Sequence, residues 1–203
     1  RGVDVARVQV EHLLEALGLP ARLAQHGPEA QPGSDVGRGT VQQAAIEALG
    51  QIRAPAAVLP LVEALRDGDR NLRRAAAEGL GEIGDPQAVP ALLIALEDEH
   101  WSVRCGAASA LGKLGSPKTI GALALRVEDP DPTVCRAAVT ALGEIGDPRA
   151  AERLVRALSD PGLQPAALEA LRRLGPPALP EIERAFQSGA LSAEVRRLLV
   201  DLA

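Results

Sequence analysis

The sequence predicts an all-α solenoid of about five to six helix pairs, and three observations carry that expectation. One phrase recurs: ALGQIRAP from Ala48, GLGEIGDP from Gly79, ALGKLGSP from Ala110, ALGEIGDP from Ala141 and a degenerate ALRRLGPP from Ala170. Its period is regular, since Leu49, Leu80, Leu111 and Leu142 stand 31 residues apart and Leu171 follows after 29. Each period holds two helical stripes, as Val89, Leu92, Leu93 and Leu96 are followed by Val103, Ala107, Leu111 and Leu114. A unit of this size cannot bury its apolar face alone, so neighbours must stack into one continuous core.

Residues 1–203 therefore read as a single solenoid that opens on a divergent pair, 1–53. Its first helix is expected at 4–17, where Val10, Leu13, Leu14 and Leu17 form one stripe before Gly18 and Pro20 stop it. Residues 26–37, HGPEAQPGSDVG, read as a flexible Gly/Pro/polar loop, and the second helix is expected at 39–53. Five repeats follow at 55–84, 86–115, 117–146, 148–175 and 177–203. In each, a helix A (55–66, 86–97, 117–128, 148–159, 177–187) precedes a helix B (70–83, 101–114, 132–145, 164–174, 192–202).

The punctuation agrees with these bounds. Gly84, Gly115, Gly146 and Gly175 sit where a helix ends in a left-handed residue, which a side chain without Cβ tolerates. Asp85, Ser116 and Asp147 can then cap the next helix, with Pro86, Pro117 and Pro148 at its first position. The inner glycines Gly50, Gly81, Gly112 and Gly143 are costly in a helix interior, which implies close approach of adjacent B helices. In the last helix, Val195, Leu198, Leu199 and Leu202 form the inward stripe, with Arg196, Arg197 and Asp201 as a polar outer cap.

Composition excludes several classes. With 46% hydrophobic and 24% charged residues the chain is globular, and no stretch approaches the ~18 apolar residues of a membrane span. The net charge is −5, with 22 basic residues dispersed among 27 acidic ones, which disfavours both nucleic acid and an anionic membrane surface. No basic segment followed by an apolar run opens the chain, so the cytoplasm is the default expectation. The chain starts on Arg1 and contains no methionine, which fits a missing natural start. Cys105 and Cys135 fall on neighbouring B helices. Packed axes stand about 8–10 Å apart and a disulfide needs Cα atoms within about 7 Å, so two free thiols are expected.

The search for chemistry returns nothing catalytic. Gly79, Gly81 and Gly84 spell GxGxxG, but a dinucleotide fingerprint needs a preceding strand and an opening helix, and these glycines close a helix. His12, His26 and His100 are scattered, so neither a metal nor another cofactor is expected. No GxSxG, P-loop or HExxH occurs, and the reading is of a protein that is not an enzyme.

The helix-A phrase AVPALLIALED from Ala88, the helix-B phrase VRCGAASALGKLG from Val103 and the GDP junctions resemble the short HEAT-like repeats of the phycobilisome-lyase type, over residues 39–203. The signatures of tetratricopeptide and ankyrin repeats are absent. The resemblance implies a right-handed α–α superhelix. It also implies a ladder in which an Asp ending helix A meets an Arg near the start of helix B. Asp67, Asp98, Asp129 and Asp160 form the acidic column, and Arg73, Arg104 and Arg196 the basic one. Gln42 and Cys135 interrupt the basic column, so the ladder should weaken there.

The resemblance further implies that the B helices line the concave side. Positions that vary there are Thr40, Gln43 and Glu47; Arg70, Asn71, Arg74 and Glu78; Trp101, Ser102, Cys105, Ser109 and Lys113; and Thr133, Arg136, Thr140 and Glu144. Trp101 and Phe186 are the only aromatics; Phe186 reads as core, and Trp101 either anchors a partner or covers the turn of its own repeat. The expected function is a non-catalytic scaffold that binds a protein or peptide on this strip, anchored by Trp101 and Arg74. The alternative is a bilin lyase-like subunit or chaperone that holds a tetrapyrrole, with Arg70, Arg74 and Arg136 clamping its propionates.

Overall fold

The computed structural model describes residues 5–16 and 35–188, and among them every regular element is helical. These are α1 (Val5–Ala16), α2 (Asp35–Gln51), α3 (Val58–Ala64), α4 (Arg70–Ile83), α5 (Val89–Ala95), α6 (Trp101–Leu114), α7 (Ile120–Arg126), α8 (Pro132–Ile145), α9 (Ala151–Ala157), α10 (Gln164–Leu174) and α11 (Leu179–Ser188). From α3 onward each odd-numbered helix is an A helix, and a 3₁₀ turn opening on Pro55, Pro86, Pro117, Pro148 or Pro176 leads into it. Proline suits that place because its fixed φ is helical and the first turn has no partner for an N–H.

Capping explains most of the boundaries. Asp69 and Asp131 accept from the N–H two residues on, at 2.8 Å each, and open α4 and α8. His100 does the same for α6 through its ring, accepting from Ser102 N–H at 3.2 Å. Gly84, Gly115 and Gly146 close the B helices in the left-handed region, with φ of 76, 62 and 68°.

Several details depart from the sequence reading. Gly175 shares the positive φ of 65° but has ψ of −144°, because Pro176 follows at once and sterically excludes a helical ψ before it. Ser116 makes no side-chain cap; instead Thr119 Oγ1 donates to the Ser116 carbonyl at 2.8 Å. Helix α2 begins at Asp35, so residues 35–37 are helical rather than part of the polar loop. Helix propagation carried that boundary upstream of its periodic stripe. Residues 26–34 of the loop and the helix expected at 192–202 lie outside the described residues.

Two layers result. The B helices α2, α4, α6, α8 and α10 each pack on the next, while α1, α3, α5, α7 and α9 pack on α2, α4, α6, α8 and α10 respectively. Between the layers runs one core, in which Leu49, Leu61, Leu80, Leu92, Leu111, Leu123, Leu142 and Leu154 are fully buried. Phe186 is half-buried against that core. The B layer is held unusually close. A Cβ placed on Gly81 would lie 2.8 Å from Ala110 Cα, one on Gly112 2.8 Å from Ala141 Cα, and one on Gly143 2.7 Å from Ala170 Cα. No side chain fits at those distances, so backbone meets backbone along the whole seam.

Candidate partner-binding face

The A-to-B turns carry the strongest polar contacts. Arg73 on α4 reaches Asp98 of the following repeat through Nε at 2.8 Å and Nη2 at 3.0 Å. Its Nη1 donates to the carbonyls of Asp67 and Gly68 in its own turn. Arg104 on α6 repeats the pattern with Asp129, at 2.8 and 2.7 Å, and with the carbonyls of Asp98 and Glu99. Each guanidinium thus ties one repeat to the next while also pairing two carbonyls of its own turn.

Electrostatics follow from that geometry. Burial alone would raise the Asp98 and Asp129 carboxyls, but the Arg73 or Arg104 hydrogen bond and a backbone N–H in the same turn outweigh it and hold both below the ordinary carboxylate range. Arg73 and Arg104 are raised in turn, chiefly by the same side-chain hydrogen bonds.

The column changes after Arg104. Cys135 stands in the third position, and its Sγ donates to the Asp129 carbonyl at 3.0 Å. Gln164 stands in the fourth and donates through Nε2 to the Leu158 carbonyl at 3.0 Å. Neither reaches the acidic column, and Asp160 is exposed, as is Asp67. The role of Gln164 was hidden because the fourth repeat is two residues short. Both cysteines are free. Arg196 lies outside the described residues.

The variable positions of the B helices lie on α2, α4, α6 and α8. Cys105 on α6 is half-buried; burial raises its thiol, Glu78 and Asp131 add to the rise, and Arg136 and Arg74 oppose it. Arg74 pairs with Glu78 one turn along, at 3.2 Å. Lys113 on α6 crosses to Glu82 on α4, a partner that the sequence reading left out. Arg70 and Asn71 are exposed at the start of α4, Arg136 and Thr140 on α8, while Ser102, Ser109 and Thr133 are half-buried. Gln43 and Glu47 on α2 bond each other at 3.0 Å, Glu144 is exposed, and the side chain of Thr40 lies outside the described set.

Trp101 opens α6 with 43% of its surface exposed. Its ring stacks on His100, centroids 5.8 Å apart and 30° between planes. On the other layer, Arg126 bridges to Glu97 at 3.1 Å and to Asp129 at 3.5 Å, and Arg153 pairs with Glu128. Glu97 and Glu128 are one period apart, a signal the sequence held. Among the described residues no cluster of His, Cys, Asp or Glu is arranged to hold a metal, and no helix is long and apolar enough to cross a membrane.

These features define a class: an α-solenoid of stacked helix pairs whose varied surface rides on a repeated frame. HEAT repeats match residues 37–99, 58–126, 89–172 and 122–201, and the chain belongs to the HEAT-repeat family. No curated protein matches it. Among solved structures it is similar to the complex of CpcE and CpcF of phycocyanin lyase from Nostoc sp. PCC7120, at 28% identity and a TM-score of 0.62, with 86% of this chain and 76% of that chain covered. An engineered protein matches at 22% identity and a TM-score of 0.60, covering 97% of this chain and 90% of its own. A chain of the Kap95p–RanGDP structure matches at 17% and 0.59, covering 86% of this chain and 25% of that one. The last two likenesses concern the fold alone.

Proposed function

We propose that the protein is a non-catalytic scaffold that binds a protein or peptide along the face of its B helices. The resemblance to HEAT-like repeats implies that this face is the concave one, and the Gly–Ala seam holds the B helices close together along it. One observation carries the reading: α4, α6 and α8 pack in succession and carry Arg74, Cys105 and Arg136 at one equivalent position, so a cation, a thiol and a cation follow one another there while the apolar frame around them repeats. Trp101, at the edge of the same strip and 43% exposed, supplies the aromatic anchor. The similar CpcE–CpcF structure is itself a complex of two proteins.

Affinity capture from the source lysate, comparing the intact chain with Trp101→Ala and Arg74→Glu, tests this. A protein retained by the intact chain and lost from both variants is the expected result. Undiminished retention by both moves the site off this face.

A tetrapyrrole-holding role is the second reading, favoured by the likeness to a phycocyanin lyase and by the cations Arg70, Arg74 and Arg136. Added bilin should then show shifted absorbance and quench Trp101 emission; an unchanged spectrum removes this role.

A further inference from the structure

The geometry points to a binding pocket for an arginine side chain of a protein partner, located where the ladder lacks its own guanidinium, between Cys135 and Asp160. The source of that arginine rests on the scaffold reading; the pocket rests on geometry alone.

The two complete rungs define what such a site needs. In each, the carboxylate is fixed by accepting a backbone N–H two residues on: His100 N–H to Asp98 Oδ1 and Asp131 N–H to Asp129 Oδ1, at 2.8 and 2.9 Å. The guanidinium of the preceding repeat then takes Oδ1 and Oδ2 together. At the next rung the acceptor is built the same way, since Gly162 N–H donates to Asp160 Oδ1 at 2.8 Å. The donor is what differs. Cys135 is too short to cross to the next repeat and turns to the Asp129 carbonyl instead. Among the described residues no cation pairs with Asp160.

A cavity of about 390 Å³ fills the gap, reaching inward to Cys135, Ala157 and Leu163 and bounded outside by Glu128, Arg153 and Asp160. By contrast, the cleft beside the first complete rung has Arg73 itself in its lining. Two cations line the empty rung, but both are already matched: Arg153 by Glu128 and Arg156 by Glu152 at 3.0 Å. The uncompensated group is Asp160, an acceptor whose two sister positions hold a planar, bidentate donor. Arginine fits that donor role and lysine, a point charge, does not.

The test is an amide-resolved NMR titration of the ¹⁵N-labelled full chain with N-acetyl-L-arginine amide, and with N-acetyl-L-lysine amide alongside. The expected result is saturable shifts at Cys135, Asp160 and Gly162 with the arginine probe, and binding at least about fivefold weaker with lysine. Asp160→Asn keeps the acceptor for Gly162 N–H and removes the charge; it should abolish the shifts, as should Cys135→Arg, which fills the pocket from within. No saturable shifts, equal affinity for the lysine probe, or persistence in Asp160→Asn overturns the proposal. The readings fail separately. Probe binding at this pocket with partner capture unmoved by Trp101→Ala or Arg74→Glu sinks only the B-helix strip, and the reverse pattern sinks only the pocket.

Discussion

Arg104 grips Asp129 of the following repeat through two near-parallel hydrogen bonds, 2.8 and 2.7 Å long, and the side chain of Asp129 is wholly screened from water. Nothing else in the described chain joins two repeats by a charge so deeply buried. Cutting the arginine back therefore strands a carboxylate, which costs more than the contact itself contributes.

Arg104→Ala is expected to destabilise the fold by about 3 kcal/mol. Arg74→Ala, which removes a partly exposed pair with Glu78, should cost less than about 1 kcal/mol. Urea unfolding of the two variants side by side checks the contrast, and equal losses would mean that the rung is not special.

The rungs also set an acid limit. Asp98 and Asp129 have folded-state pKa values below the ordinary range, so their contribution is fully present above the unfolded value of about 3.9 and is lost as pH falls through the lowered folded values. Thermal melts should be level near neutrality and fall steeply below about pH 4. Asp129→Asn should be less stable at neutral pH and show a shallower acid slope.

Glycines on the two layers should answer an alanine substitution with opposite signs. Gly112→Ala adds a methyl where Ala141 Cα stands 2.8 Å away, and a loss of at least about 2 kcal/mol is expected. Gly121→Ala, in α7 with open space around it, should gain about 0.5–1 kcal/mol from helix propensity alone. Differential scanning calorimetry resolves both; a gain at Gly112 would refute the seam.

Arg53 occupies the place that Gly84, Gly115 and Gly146 hold in later repeats, and it does so at a φ of 52°. That backbone is strained for a residue with a Cβ. Arg53→Gly should raise stability by about 0.5–1 kcal/mol, the relief outweighing the extra freedom of glycine in the unfolded chain. A lowered melting temperature would show that the Arg53 side chain contributes more than its backbone costs.

The architecture was legible because a 31-residue period multiplies every weak local signal by the number of repeats. Gly84, Gly115 and Gly146 marked helix ends by recurring, and the likeness to HEAT-like repeats pointed to Asp98 and Asp129 as rungs. What escaped was what does not recur. Gly175 changes ψ because proline follows it directly, Ser116 leaves its cap unmade, and the two-residue deletion before α10 disguises Gln164 as an unrelated residue. The stacking of Trp101 on His100, and the crossing of Lys113 to Glu82, depend on side-chain directions that spacing alone does not fix.

Backbone pressed on backbone at Gly81, Gly112 and Gly143 leaves no rotamers that could rearrange along that line. The seam therefore resists stretching and compression, so any change in the shape of the stack falls to the A-helix side. A partner that opens or tightens the curve would slide α5, α7 and α9 past one another while the spacing of the B helices, and of the residues they display, stayed constant.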